Sequence, residues 1–298
     1  MSEILSGISD GMAAAVESAS ASVVRVEGRR RLPASGIVWS NDGLILTASH
    51  VVRRDKGIKV GLPGSESVPA EVVGRDQTTD LALLRVEAAD LVPLPQAADK
   101  EMAVGQLLLA LGRPGHTVQA TLGIVSAFAG SWRTRHGGLI DNYLQTDVLM
   151  YPGFSGGPLI NAGAQLVGLN SSALHPGVSV AIPVNSLNRI TQTLADHGRI
   201  RRGYLGVSTQ RVRLPENVRE AAGQKRGLLI VSVEPGSPAE TGGLTLGDTI
   251  IGIADAPIRS HDELLAQLAA DTVEQKVPIK LLRGGEIITL NVKIGERP

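Results

Sequence analysis

From about residue 22 onward the chain is a succession of short apolar runs, each closed by turn residues. The runs are Ile58–Leu62, Ala70–Val73, Leu81–Val86, Gln106–Leu111, Gln119–Ala127, Leu139–Gln145, Pro158–Ile160, Gln165–Asn170 and Val178–Val184. Runs this short, rich in Val, Ile and Leu and bounded by Gly, Pro, Asn or Asp, read as strands. Asn41-Asp42-Gly43 between Ser35–Ser40 and Leu44–Ala48 is a hairpin signal, because Asn-Gly and Asp-Gly pairs tolerate the positive φ of tight turns. Many short strands with this punctuation specify a mainly β fold, a sandwich or a barrel.

Helix signals are few. A small-residue helix is expected over residues 5–20, with Ile8, Met12 and Val16 on one side. A second is expected over Asn185–His197, where Leu187, Ile190 and Leu194 share a face, Asn185 caps and Gly198 stops. A third begins at Ser260, with Glu263 completing a capping box ahead of Leu264, Leu265 and Leu268. Four segments follow: an N-terminal segment over 1–21, a first domain over 22–197, a linker over 198–203 and a second domain over 204–298.

Composition excludes several functions. With aromatics at 2%, the core is built from Val, Ile, Leu and Ala, and stacking platforms for single-stranded nucleic acid are absent. Lys+Arg and Asp+Glu are both 29, so nothing pulls the chain toward nucleic acid or an anionic membrane. There is no cysteine, which removes disulfides, thiol nucleophiles and Cys-ligated metals. The six histidines are scattered, with no zinc-binding spacing, so no metal or other cofactor is expected. No run is long enough to span a membrane. The first residues, MSEILSGISDGM, lack a basic n-region before an apolar core. A cytoplasmic protein is the simplest expectation, and an exported protein trimmed of its targeting segment is the alternative.

The sharpest local motif is Gly153-Phe154-Ser155-Gly156-Gly157-Pro158. Glycines flanking a serine permit a tight turn that exposes the hydroxyl and lets N–H groups converge on a developing oxyanion. Gly-x-Ser-x-Gly is also the nucleophile elbow of α/β-hydrolases, but that elbow opens a helix and is followed by its acid and histidine. Here a short strand follows, and the later candidates Asp196, Asp248 and His261 lie beyond the first domain or at its end. The opposite order fits better. His50 closes a hairpin strand, and Asp80 opens the apolar run Leu81–Val86, where an acid needs a partner. Hydroxyl attack requires a base and an acid that orients it.

Thr47-Ala48-Ser49-His50-Val51-Val52, Thr79-Asp80-Leu81-Ala82-Leu83 and Gly153-Phe154-Ser155-Gly156-Gly157-Pro158-Leu159 resemble the three signature blocks of the HtrA/Deg serine proteases. Gln145-Thr146-Asp147 and Val180-Ala181-Ile182-Pro183-Val184 match as well. The C-terminal part resembles the family's PDZ domain in Arg202-Gly203-Tyr204-Leu205-Gly206-Val207, Glu234-Pro235-Gly236-Ser237-Pro238-Ala239 and Gly247-Asp248-Thr249-Ile250.

The resemblance implies a trypsin-like double six-stranded β-barrel followed by a PDZ domain. It implies Ser155 as nucleophile, His50 as general base and acid, Asp80 as orienter, and the N–H groups of Gly153 and Ser155 as oxyanion hole. Met150, Leu169, Asn170 and Ser171 would line the pocket for the residue before the scissile bond, favouring medium aliphatic side chains. Tyr204, Leu205, Gly206 and Val207 would receive a peptide C-terminus, with the Ser260–Asp271 helix, through Leu264 and Leu268, walling the groove. The implied activity is ATP-independent cleavage of unfolded or damaged polypeptides by a homotrimer or higher homo-oligomer. A peptide-binding holdase or scaffold with a silent protease domain is the alternative. Three departures from the family stand out: Phe154 where Asn is usual, Pro152 ahead of Gly153, and a short Glu27–Pro33 stretch where many relatives carry a long loop.

Overall fold

The computed structural model describes residues 2–29, 32–98, 102–175, 177–268 and 272–296. The chain divides into two compact units, Met1–Ile200 and Arg201–Pro298.

The first unit opens with helix α1, Ser2–Ser20. Ala15 and Ala19 are buried and Met12 and Val16 pack on the core, whereas Ile8 is largely exposed. Of the expected Ile8, Met12 and Val16 side, the part that reaches the core is Met12 and Val16, flanked by the buried Ala15 and Ala19. Six strands follow: β1 (Val23–Glu27), β2 (Ala34–Val38), β3 (Leu44–Ala48), β4 (Ile58–Gly61), β5 (Ser67–Asp76) and β6 (Leu81–Val86). They close into a barrel in the order β1-β2-β3-β6-β5-β4. β7 (Leu107–Gly112), β8 (Gln119–Ala129), β11 (Tyr143–Thr146), β12 (Pro158–Asn161), β13 (Leu166–Ser171) and β14 (Ser179–Pro183) close a second six-stranded barrel. The expected run Leu139–Gln145 splits, because Leu139–Ile140 (β10) turns back onto Trp132–Arg133 (β9) in a separate hairpin. This is the double barrel that the resemblance implies.

Helix α2, Val184–His197, buries Leu187, Ile190 and Leu194. Its N-cap is Pro183 with no side-chain cap, so Asn185 sits inside the first turn rather than capping it. Gly198 stops the helix in the left-handed region, as expected, its N–H returning to the carbonyl of Leu194. Arg113, buried in the turn after β7, donates to the carbonyls of Val23 at 2.6 Å, Ser20 at 2.8 Å and His116 at 2.8 Å. It thereby ties that turn of the second barrel to the end of α1 and the start of β1.

The second unit contains β15 (Gly203–Tyr204), β16 (Val207–Arg213), α3 (Glu216–Ala222), β17 (Arg226–Val233), α4 (Pro238–Thr241), β18 (Thr249–Ile253), β19 (Ala256–Pro257), α5 (His261–Gln267), β20 (Lys276–Arg283), β21 (Glu286–Lys293) and β22 (Gly295–Glu296). Its main sheet runs β16-β17-β18-β20-β21, with β19 on β18, and β15 pairs with β22. Ser260 caps α5, accepting from the N–H of Glu263 at 3.2 Å. Asp271, the expected end of this helix, lies outside the described residues.

Asp248, buried just ahead of β18, takes a bidentate fork from Arg283, Nε and Nη2 each at 2.7 Å. Burial alone would raise its carboxyl; the hydrogen bonds from Arg283 and the Thr245 N–H outweigh it and hold the group below the usual carboxylate range. A folded-state pKa below the unfolded one adds stability above the unfolded value, near ~3.9, and loses it as pH falls through the folded value. Arg283→Met is expected to destabilise this unit at neutral pH by about 2–3 kcal/mol. That is less than for a fully buried pair because the Arg283 side chain keeps 39% exposure. Hydrogen exchange across β18 at pH 7 and pH 3 checks it. Equal protection of the variant and parent at pH 7 would contradict the assignment.

Candidate active site

The two barrels present their connecting segments to one cleft. In the first barrel β3 pairs with β6 in the register Thr47↔Ala82, Ala48↔Leu81. The residues after Ala48 and before Leu81 therefore meet at the same sheet end, and these hold His50 and Asp80. His50 lies in a single 3₁₀ turn, Ser49–Val51. Asp80 adopts the left-handed conformation at φ 60°, which acidic and amide residues accept more readily than most. The Ser49 N–H reaches the Asp80 carbonyl at 3.0 Å and the His50 N–H reaches Asp80 Oδ1 at 2.9 Å. The His50 ring meets Asp80 Oδ2 through Nδ1 at 2.8 Å. A carboxylate only accepts, so the proton of this bond sits on Nδ1 and leaves a lone pair on Nε2. Ser171, at the end of β13, donates to Asp80 Oδ2 at 2.5 Å. Asp80 is 5% exposed, and these donors offset the cost of burying it.

Ser155 lies in the segment between β11 and β12. Tyr151-Pro152-Gly153-Phe154 forms a turn closed by the Phe154 N–H on the Tyr151 carbonyl at 3.0 Å. Gly153 at φ 99° follows Pro152, the Pro-Gly order of a type II turn. Pro152 thus presets this turn. Gly156, at φ 87°, is packed so closely that a Cβ would stand 2.2 Å from the Ser35 carbonyl oxygen. Ser35 of β2 straps the loop: its Oγ donates to the Gly153 carbonyl at 2.6 Å, and its N–H donates to the Ser155 carbonyl at 3.1 Å. Gly156 donates to the Asn170 carbonyl at 2.8 Å and Gly157 to the Phe154 carbonyl at 2.9 Å. The N–H groups of Gly153 and Ser155 have no hydrogen-bond partner among the described residues.

Phe154 is fully buried, packed in the second barrel's core with Leu108, Ala110, Leu144 and Leu159. Its ring meets Tyr151 edge-on, with centroids 5.8 Å apart. Space for it exists because residue 112 is glycine, where a Cβ would stand 2.6 Å from the ring. The departure from Asn thus replaces a polar side chain by an apolar anchor beneath the turn.

His50 and Ser155 line one cleft of about 810 Å³, together with Arg29, Leu32, Arg53, Arg54, Met150, Tyr151, Pro152, Gly153 and Ser172. Met150 is among the residues lining this cleft; Leu169, Asn170 and Ser171 are not. Leu169 is buried in the core. Asn170 Nδ2 is turned to the Pro158 carbonyl at 2.8 Å, and Ser171 is spent on Asp80. Ser172 takes the position at the cleft wall. Its Oγ is 2.9 Å from Ser155 Oγ, and its N–H is 3.4 Å from the same atom. Among the described residues Ser155 Oγ is bonded to Ser172 rather than to the His50 ring. Sequence reading passed over Ser172 and Ser35; only the neighbourhood of Ser171 hinted at the first, and nothing hinted at the second.

In the second unit Gly206 is at φ 78° between Leu205 and β16. Among the described residues strand β16 is the sheet's edge and pairs with β17 alone. At the start of α5, His261 Nε2 meets the Thr209 carbonyl at 2.9 Å, which sets helix and strand side by side. Leu264 and Leu268 are mostly buried in this unit's core with Leu205, so they contribute packing beneath the strand–helix furrow more than open surface.

Two antiparallel six-stranded barrels, with a histidine–aspartate pair on one and a glycine-flanked serine on the other, define a protein of the trypsin-like class. A family model of the trypsin-like peptidase domain matches residues 34–169, and one of the PDZ domain matches residues 203–294. A probable periplasmic serine endoprotease, DegP-like, of Rickettsia conorii is 33% identical over 272 residues, 87% of this chain and 53% of that protein. The serine endoprotease DegS of Haemophilus influenzae is 32% identical over 274 residues, 89% of this chain and 77% of that protein. The crystal structure of the serine endoprotease from Yersinia pestis matches at TM-score 0.79 and 31% identity, over 95% of this chain and 97% of that one. The chain belongs to the HtrA/Deg family of serine endoproteases. It spans about half the length of the DegP-like relatives it matches. Their names place those relatives in the periplasm, and this finding overturns the cytoplasmic expectation. That expectation rested on a missing basic n-region and on the lack of an apolar run long enough to span a membrane, and neither reports the compartment.

Proposed function

We propose that this chain is a serine endopeptidase acting on unfolded polypeptides, with Ser155 as nucleophile. The observation that carries this reading is the His50 Nδ1–Asp80 bond at 2.8 Å, with His50 lining the cleft that also holds Ser155. Ser155 Oγ attacks the scissile carbonyl while His50 Nε2 takes its proton. The carbonyl oxygen becomes an oxyanion, for which the N–H groups of Gly153 and Ser155 are the free donors of the loop. His50 then gives the proton to the leaving amine, and the acyl group remains on Ser155. A water molecule, deprotonated by His50, attacks the acyl carbon and releases the second product. Asp80 keeps the His50 proton on Nδ1 and stabilises the imidazolium. The apolar wall of Met150 and Tyr151 suits an aliphatic side chain before the scissile bond. Reaction with a fluorophosphonate, followed by peptide mapping, is expected to mark Ser155 alone. Labelling elsewhere, or none, in a sample that digests an unfolded casein would oppose the assignment.

Ser172 is a positioning residue in this reading, since it holds Ser155 Oγ away from the base. One neutral hydrogen bond is worth about 1 kcal/mol, so Ser172→Ala is expected to raise the labelling rate of Ser155 about three- to fivefold. The rate against pH should keep its midpoint, because His50 and Asp80 are untouched. An unchanged or slower rate would show that Ser172 does not compete.

The second unit fits capture of a peptide C-terminus by strand addition to the outer edge of β16, where the peptide would take the Thr209 carbonyl from His261, with the Tyr204-Leu205-Gly206-Val207 turn at the carboxylate end. Titrating a peptide with a free C-terminus, and then its amide, should shift the amide resonances of 205–213 for the first only.

A further inference from the structure

The walls of the cleft are unlike each other. The second barrel contributes Met150, Tyr151 and Pro152, which are uncharged. The first contributes Leu32, Arg29 from the β1–β2 connection, and Arg53 and Arg54 from the segment after the His50 turn. The two basic segments are joined by the Arg53 N–H on the Gly28 carbonyl at 3.2 Å. No carboxylate stands among the described lining residues. The nearby acids are committed elsewhere: Asp55 pairs with Arg75, Asp80 holds His50 and Ser171, and Glu27 is bonded to Arg25 and Ser67. Arg29 Nε donates to the Leu32 carbonyl at 2.7 Å, while the Arg53 and Arg54 guanidinium groups have no partner among the described residues. A chain of zero formal net charge therefore concentrates three cations on one wall of one cleft.

We infer that this wall selects polypeptides carrying Asp or Glu just after the scissile bond. The inference rests on the reading of Ser155 and His50 given above. His50 hands its proton to the leaving amine, so the leaving segment must pass the His50 side of the cleft. Arg53 and Arg54 follow His50 by three and four positions, and Arg29 joins them. Guanidinium groups match carboxylates in geometry as well as charge. The preference differs from that of the apolar wall and concerns the other half of the substrate. A cut between an aliphatic residue and an acidic run satisfies both walls.

The test uses the full chain with Ser155→Ala, which keeps peptides intact. Two rhodamine-labelled peptides share an apolar half and continue with Glu-Asp-Glu or Gln-Asn-Gln. Both end in an amide, so that strand capture in the second unit does not contribute. By anisotropy the acidic peptide is expected to bind about tenfold more tightly at ~50 mM salt, with the gap closing near ~1 M, where the Debye length is about 3 Å. The double variant R53E/R54E should prefer the Gln-Asn-Gln peptide. Equal binding of the two peptides at low salt, or a preference that salt leaves unchanged, overturns the inference. If the charge-reversed variant melts early, the salt series on the Ser155→Ala chain decides alone. An acidic preference in that chain, combined with a wild type that cleaves neither peptide, supports the cationic wall and counts against Ser155 as nucleophile.

Discussion

Ser155→Ala is expected to lower turnover of an unfolded polypeptide by a factor on the order of 10⁶, with little change in thermal stability. The hydroxyl is the atom that forms the acyl bond, so nothing left in the variant can make that intermediate. The residual rate should still exceed the uncatalysed one, because the Gly153 and Ser155 N–H groups and the cleft walls survive the substitution. Among the described residues Ser155 Oγ bonds to Ser172 alone, at a site open to the cleft, and the loop is held by backbone contacts to Ser35 and Asn170. One such bond is worth about 1 kcal/mol or less. Steady-state kinetics beside a melting curve separate the two effects. Retained turnover in a folded Ser155→Ala chain would refute the nucleophile assignment and move attention to Ser172. Absence of turnover in the parent would favour the holdase or scaffold alternative.

Asp80→Asn should reduce kcat by about 10⁴ while leaving KM within a few-fold. The asparagine fits the same volume and tolerates the left-handed φ of 60° at this position. Its carbonyl oxygen can still accept from the His50 N–H or from Ser171. Its amide nitrogen, however, donates where the carboxylate accepted. Facing His50 Nδ1, it forces the ring proton to Nε2, the atom that must take the proton of Ser155. A kcat within tenfold of the parent would show that Asp80 serves folding alone. Asp80→Ala is the poorer experiment, because it leaves the His50 N–H and the Ser171 hydroxyl without their acceptor.

The residues of the proposed triad stand out in the sequence because each has a short context that the backbone needs for its own reasons. Gly156 is demanded by a Cβ clash, Asp80 opens a buried strand, and His50 ends one. The register of β3 against β6 then makes the His50–Asp80 contact nearly automatic. The pocket was less legible. Leu169, Asn170 and Ser171 were implied by the resemblance, but in β13 they are buried, and Ser172 just beyond the strand is the residue that lines the cleft. Phe154 reads as an anomaly in sequence. It becomes intelligible only beside Gly112, forty-two positions earlier, whose missing side chain makes room for the ring. The Asn185 cap failed for a simpler reason: Pro183 presets the extended entry, and the helix starts one residue sooner.

The sequence by itself determined the two-unit β architecture, the order of the His, Asp and Ser blocks and the positions of the tight turns. These rest on local periodicity and on backbone conformations that few residues can adopt. Only the tertiary structure decided that Ser35 straps Gly153 across 118 positions and that Ser171 reaches Asp80 across 91. It likewise decided that Arg29, Arg53 and Arg54 share one wall. Barrel closure sets which distant loops meet, and that closure is a property of the whole strand register rather than of any segment within it.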